Sequence, residues 1–557
     1  MKPMCYNGTS IASTHVCEME SGERGAQERE GGGMTRKMPG SNVCSGVLTL
    51  LLFFWGVGSV AFAWSPPVGI PAPPWPADLD IARPALPNPW TAETAGWYFI
   101  SDSGCLDTGR PYGYPGAPRC SIPSSPPAGS KIVLNGTIEG DQDLSFSGTS
   151  GNPTWVMGYS ASSPPSATGG WGVTGSYKIL DGIAFANAYE DGNMYLEGSN
   201  NMIRNLSFVN TYSTSNGAVI AGGGTNNVMY RCTISQAGDW QHSGGDIDRH
   251  GIKVLQGANG VWYVDSTFYH IQGDGIQVGD QNNAASEINK VYIGRNRAYE
   301  NLQSCFWTKN ATDVVMSENV CSDITLSPGG DGQGIGGQYD PKYVWFLSNT
   351  IYNTKAGIKV SGGSAGTGGP WYMIGNRIYA VGGSGCNNYD VGALSFRNAG
   401  GVTMLFNTVH DVDMFVGVPT GSGITVKDNI FSSKRAAAGC AALAVDVSFT
   451  HDYNLFSAAG YDPGSEPNKV TADPLFVNAG AANFALQASS PAVNAAAPTE
   501  EAAFAAFQAR YGFSIKRDSA GTARPQGTRW DIGAYEVPSG GSPAPRIPNP
   551  PSDVQIR

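Results

Sequence analysis

The chain has 557 residues, of which 75 are glycine and only 14% are charged. That composition excludes a coiled coil and a charged disordered polymer, and it suits an all-β protein rich in turns. A net charge of −11 argues against nucleic acid as a partner, because neutralising phosphates takes a basic surface.

Residues 1–33 show no structural pattern and read as an over-extended gene start, with Met34 as the expected first residue. Residues 34–63 begin with Arg36 and Lys37, continue through an apolar run from Val47 to Val60 and end in Ala61-Phe62-Ala63, the layout of a secretory signal peptide. The run is short for a membrane span, which takes about 20 residues. The expected product is secreted (extracellular or periplasmic), without stable membrane insertion after cleavage. It keeps Cys105, Cys120, Cys232, Cys305, Cys321, Cys386 and Cys440. Cys105 and Cys120 flank a Gly/Pro loop and are the expected disulfide. The others fall in strand-like segments, where a buried thiol serves as a small apolar filler.

Residues 64–96 are Pro-rich, a linker or an arm lying on the surface. Residues 97–180 hold short strand signals such as Lys131–Leu134 and are assigned as N-terminal cap and first strands. From 181 to 460 one pattern recurs: apolar and polar residues, then a small polar residue, then an apolar one. Its members centre on Asp181, Asn205, Cys232, Ser266, Asn296, Asn319, Asn349, Asn376, Asn407, Asn429 and Asn454, at intervals of 22 to 34 residues. Such a period indicates a solenoid, and the lack of helical patterns between strands excludes βαβ units. An Asn at a recurring turn bonds the backbone and the Asn above it, and it tolerates a left-handed backbone. Eleven rungs spaced by about 4.8 Å give a rod on the order of 50 Å long. Residues 461–537 read as closing strands and a capping helix. The helix is expected over 498–512, with Thr499 as N-cap, Glu500 and Glu501 in the first turn and Gly512 just past the end. Residues 538–557 form a Pro-rich tail with nothing to bury and are expected to be disordered.

The Asn-centred repeat, together with DPLF…SPAVN (473–494) and WDIGAYE (530–536), resembles the secreted right-handed parallel β-helix proteins of the pectate-lyase-like superfamily, over residues 180–537. The resemblance implies an all-β chain: a single right-handed parallel β-helix of about eleven coils with N-terminal and C-terminal caps. It leaves activity open, since that superfamily includes lyases, hydrolases, epimerases, phage tailspikes and adhesins.

The segment from Asp246 to Asp340 carries the chemistry. Aligning the apolar pairs Ile252/Val254, Ile276/Val278, Phe306/Thr308, Ile335/Gly337 and Ile358/Val360 as inward-facing places Lys253, Gln277, Trp307, Gly336 and Lys359 in one outward row. Gly279, Lys309 and Gln338 make the next. Asp280, Asn310, Tyr339 and Asp340 lie just beyond, and His250, Asp274 and Gln333 just before. Amides, charges and aromatic faces concentrated on a few rungs are what a sugar site needs. Gln277, Trp307, Gln338, Tyr339, Lys359 and Arg295 are the expected substrate-binding residues, and the expected partner is a polysaccharide, in particular an acidic glycan, met by a monomer.

Two chemistries fit. In β-elimination of a uronate, a base removes the C5 proton while the adjacent carboxylate is neutralised. The resemblance implies Ca²⁺ held by aspartates for the second task and a Lys or Arg for the first. Asp246, Asp248, Asp274 and Asp280 are the candidate Ca²⁺ ligands, although the run of adjacent aspartates seen in calcium-dependent members is missing. Lys309 is the expected base, with Asp274, His250 and Lys253 as further catalytic candidates. Hydrolysis instead needs two carboxylates flanking the bond, and Asp274 with Asp246, Asp248 or Asp331 would supply them. A passive glycan binder or adhesin is the non-catalytic alternative. Concentration of polar residues on neighbouring rungs favours a site over a purely structural rod.

Overall fold

The protein was analysed as a computed structural model, which describes residues 64–186, 192–209, 217–240, 248–324, 332–363, 368–383, 392–435, 439–445, 447–457, 466–499 and 501–540. The chain divides into a unit of residues 1–61, which lies outside that set, and a unit of residues 62–557. The expected signal peptide and the stretch before it, most of the C-terminal tail, Asp246, Asp331, Cys386 and Glu500 also lie outside the described residues.

Three short strands make one coil. Arg249–Val254, Asn259–Val264 and Thr267–Ile271 are followed by Asp274–Val278, Asn289–Gly294 and Arg297–Tyr299, and each strand pairs in parallel with its counterpart one coil later. The stack has three rows, here called first, second and third in that order. The third row is a 14-stranded sheet. The first and second merge into one 24-stranded sheet, in which Gly392–Leu405 and Met414–Lys427 run through the corner between them. The result is the expected β-solenoid of about eleven turns, nearly all β with a single α-helix among the described residues. Parallel pairing begins upstream of the repeat, at Trp97–Ser101 with Lys131–Asn135 and then Thr154–Gly158, so the segment 97–180 already contributes strands to the stack.

Apolar side chains fill the interior because one of every two residues in a strand points inward. The column Ile252, Ile276, Phe306, Ile335, Ile358 and Leu394 is fully buried. A second apolar layer covers the outside of the second row, where Trp155, Met202, Val228, Trp262, Tyr292 and Trp345 project outward. Against these lies the Pro-rich arm, with Ile70 and Leu79 buried, Val68 N donating to Glu318 at 2.8 Å and Trp262 Nε1 donating to Pro71 O at 2.8 Å. Residues 64–96 are therefore a surface-bound arm. The single α-helix, Ala502–Tyr511, packs Phe504 on Phe406 and Phe507 on Trp345. It starts later than the sequence suggests: Glu501, not Thr499, occupies the N-cap, its carboxylate held 3.4 Å from Lys427 Nζ. Gly512 closes the helix in the left-handed conformation, φ 83°.

At the corner between second and third rows, buried asparagines form an uninterrupted chain. The backbone N–H of Asn296 donates to Asn319 Oδ1, Asn319 to Asn349, Asn349 to Asn376, Asn376 to Asn407, Asn407 to Asn429 and Asn429 to Asn454, all at 2.9–3.0 Å. Glu466 ends the run by accepting from Asn454 N at 2.7 Å. Ser266 and Cys232 continue it upstream, Cys232 N donating to Ser266 Oγ at 3.0 Å. Asn205 and Asp181 do not belong to it. Arg204 pairs with Tyr230 and Asp181 with Arg204, which puts Asn205 one residue, and Asp181 two residues, ahead of the ladder position. Each corner has two slots: a left-handed residue comes first (Arg295, Glu318, Ser348, Phe406), and the ladder residue follows. Asn205, φ 52°, occupies the left-handed slot, so the sequence pattern conflates two jobs of one residue type.

Cys105–Cys120 is bridged as expected. Cys305 and Cys321 are bridged as well, and Cys440 is disulfide-bonded, which corrects their reading as apolar fillers. Cys305 sits on the first row and Cys321 on the third, and both point into the interior, where one coil brings them to a Cα separation of 5.9 Å. Cys232 is the buried free thiol among the described residues. No described helix is long and apolar enough to cross a membrane.

Candidate functional site

The first-row register is the one the apolar pairs imply. Lys253 pairs with Gln277, Gln277 with Trp307, Trp307 with Gly336 and Gly336 with Lys359. On these rungs lies a cavity of about 270 Å³ lined by Asp248, Asp274, Gln277, Gln281, Gln303, Ser304, Trp307, Lys309, Gln333, Gln338 and Tyr339. Its lining holds one amine, two carboxylates, five amides, a hydroxyl, a phenol and an indole.

The floor is built at the start of the first-row strands, where Asp274, Ser304 and Gln333 stack in register. Asp274 is buried and accepts a 2.5 Å hydrogen bond from Ser304 Oγ. Behind it lies His250, also buried, whose Nδ1 accepts the Asp274 backbone N–H at 2.9 Å. That bond fixes the unprotonated nitrogen toward Asp274, and burial holds the imidazole in its neutral form, well below the usual histidine range. The 3.5 Å approach of Nδ1 to Asp274 Oδ2 is therefore not an ion pair. His250 positions Asp274 from inside the fold and does not face the cavity.

Trp307 lies over the next rung, and glycine makes room for it. A Cβ at Gly336 would stand 2.6 Å from the indole and 1.9 Å from Lys359 O. Trp307 is only 6% exposed where it lines the cavity. The rim is held by contacts that each skip a rung. Tyr339, left-handed at φ 69°, donates its hydroxyl to Gln281 Oε1 at 3.1 Å, and Gln303 Nε2 donates to Asp248 Oδ1 at 3.0 Å. Asn310 braces the first of these: its amide donates to the carbonyls of Asp280 and Gln281, and its Oδ1 accepts from Asp340 N.

Several expected residues fall elsewhere. Lys253 Nζ is paired with Asp280 Oδ2 at 2.8 Å, and neither lines the cavity; this pairing is the main reason the Asp280 carboxyl lies below its usual range. Lys359 is buried past Gly336 and does not reach the cavity lining. Arg295 is at the second-row corner, bidentate on Asp265 at 2.7 and 2.9 Å and donating to Ser65 O; it clamps the N-terminal arm instead of a substrate. Among the described residues no group of three or more His, Cys, Asp or Glu side chains comes together to hold a metal ion. Asp248 and Asp274 do share the cavity, but Asp280 is committed to Lys253. Asp246, the remaining member of the expected Ca²⁺ set, lies outside the described residues.

Gln281, Gln303 and Ser304 were not anticipated. Ser304 was within reach of the alignment that found Asp274 and Gln333, since all three share a column. Gln281 and Gln303 sit outside the strands, and their side chains bond residues 58 and 55 positions away.

No family model matches the chain, and no curated protein does. Among solved structures it is similar to a pectate lyase (17% identity, 79% of this chain and 96% of that one, TM-score 0.40) and to an alginate lyase of polysaccharide lyase family 6 (12% identity, 63% of this chain, TM-score 0.40). The chain spans about half, 51%, of that second protein. It is also similar to a double mutant of the tailspike protein of E. coli bacteriophage HK620 (14% identity, 62% of this chain and 67% of that one, TM-score 0.36). Likenesses this distant carry no argument about activity. The parallel β-helix stands on the strand pairing itself.

Proposed function

We propose that the protein is a secreted polysaccharide lyase that cleaves a uronate-containing polysaccharide by β-elimination in the first-row cavity. The observation that carries this reading is the cavity lining: Lys309 beside five glutamine amides, with Asp274 fixed in the floor. Elimination needs a base for the C5 proton, and that role is assigned to Lys309. The electron pair then forms the C4–C5 double bond as the C4–O bond breaks. Charge built up on the uronate carboxylate is met by the amides that line the cavity, those of Gln277, Gln281, Gln303, Gln333 and Gln338. Tyr339 supplies the hydroxyl that returns a proton to the leaving oxygen. The disulfides accord with an oxidising compartment and so with export.

A second reading, glycoside hydrolysis, is favoured by one observation: two carboxylates, Asp248 and Asp274, line the same cavity. The two chemistries leave different products. Incubation with pectate, alginate and other uronate polymers, with and without Ca²⁺, is expected to give the ultraviolet absorbance of an unsaturated product. Absence of that absorbance across the whole panel overturns the lyase; reducing ends without it would identify a hydrolase, and tight binding without either product would identify a passive binder.

A further inference from the structure

The column of outward residues that carries Lys309 does not stop at the cavity. Lys309 follows Thr308, which pairs with Gly337, so its neighbour on the next rung is Gln338. Gln338 pairs with Ser361, and Ser361 pairs with Arg397. The column therefore reads Lys309, Gln338, Ser361, Arg397: a cation at each end, an amide and a hydroxyl between, and no carboxylate. In a chain of net charge −11 this is a local departure in sign along one line, half-buried at Lys309, Gln338 and Ser361 and exposed at Arg397. Arg397 is exposed, at three rungs or about 14 Å from Lys309.

The backbone at Arg397 is also unlike the regular ladder. Pairing with the following strand shifts register on both sides of it, between Ser395 and Arg397 and again between Arg397 and Ala399. Asn398, next in the chain, is left-handed at φ 53°, and its backbone N–H donates to Thr420 Oγ1 while its Oδ1 accepts from that hydroxyl. A bulge of this kind re-aims a side chain out of the plane of its neighbours.

We propose that Arg397 is a distal subsite that holds a second uronate carboxylate of the same polysaccharide, so that the protein prefers acidic oligosaccharides long enough to reach from Lys309 to Arg397. The proposal rests on the reading of the first-row cavity as a uronate site. A guanidinium matches a carboxylate with two parallel N–H donors, and the intervening Gln338 and Ser361 offer hydrogen bonds to sugar hydroxyls. A polymer laid along the rod axis meets these positions in order, one per rung.

The test separates binding from turnover. Binding of defined oligouronates, from two to eight residues, is measured on Lys309→Ala and on Lys309→Ala combined with Arg397→Gln, at low and high salt. The longer oligouronates are expected to lose roughly ten-fold in affinity on Arg397→Gln, the shortest to be unchanged, and the salt sensitivity of the longer ones to shrink. Arg397→Lys, which keeps the charge without the fork, is expected to restore part of the loss. Equal loss at every length, or no loss at all, overturns the assignment, as does failure of any acidic oligosaccharide to bind. If the wild-type protein binds the long oligouronates through Arg397 yet yields no unsaturated product, the lyase reading fails and the subsite stands.

Discussion

Replacing Asn349 by alanine tests the asparagine ladder where it is most regular. Its side chain is fully buried and makes four hydrogen bonds. Oδ1 accepts from the backbone N–H and from Nδ2 of Asn319, both at 3.0 Å, while Nδ2 donates to Met316 O at 2.9 Å and to Asn376 Oδ1 at 3.0 Å. Alanine removes all four. Asn319 Nδ2 keeps Ile293 O as a partner, and Asn376 Oδ1 keeps the backbone N–H of residue 349, but the buried Asn319 N–H loses the bond that satisfied it. One orphaned donor costs about 1–3 kcal/mol and each remaining bond about 1 kcal/mol, so Asn349→Ala should destabilise by roughly 4–6 kcal/mol. Asn349→Ser is the control. Ser266 already serves in the ladder by accepting from Cys232 N, so serine at 349 can still accept from Asn319 N and should recover about a third of the loss. Because coils contact only their neighbours, hydrogen exchange should rise around 319, 349 and 376 and stay low in the first coils. A urea-unfolding loss below about 1 kcal/mol, serine as damaging as alanine, or exchange raised evenly along the rod would refute this reasoning.

Gly336→Ala places a methyl group against the Trp307 ring and the Lys359 carbonyl, so it should displace the indole and reduce turnover more than it lowers the melting temperature; unchanged turnover would show that Trp307 placement does not matter. Stability should also depend on pH. Asp428 is fully buried, its Oδ1 accepting from Ala497 N at 2.8 Å, and burial raises its carboxyl to about 7 against the pull of Lys427 and Arg524, with Glu501 adding to the rise. Glu536 is likewise raised to about 7 by burial, its pair with Arg524 opposing. A folded-state value above the unfolded one means the folded protein holds the proton more tightly. The stabilisation is therefore full below about pH 4 and lost as pH rises through about 7. Melting at pH 5 should exceed melting at pH 8, and Asp428→Asn should flatten that difference by on the order of 2–4 kcal/mol; an unchanged slope in the variant would contradict it.

Why some of this was readable and some not follows from the range of each interaction. The first-row register came through because inward and outward positions alternate strictly, and a slip of one residue would turn Ile276 and Phe306 outward. That same alternation placed Lys309, Gln277 and Trp307 together correctly. The ladder was misread at Asn205 because left-handed and ladder slots are adjacent and accept the same residue type. Arg295 looked like a binding residue because its partner Ser65 is 230 positions away on an arm with no periodic pattern. Cys305 and Cys321 looked like fillers because the turn that brings them together is a property of the coil and not of either strand. His250 has the chemistry of an acid and the right place in the chain. Its burial, which removes that role, depends on how closely the next coil packs: Gly273 leaves so little room that a Cβ there would stand 2.5 Å from Nδ1.

The central claim is that Lys309 removes a proton from a uronate bound on the first row. The most direct measurement compares wild type with Lys309→Ala on the best polymer of the panel, following unsaturated ends by absorbance and binding by a turnover-independent method. The account predicts a loss of at least about a hundred-fold in unsaturated product with binding retained. Equal rates of unsaturated product from the two proteins would contradict it.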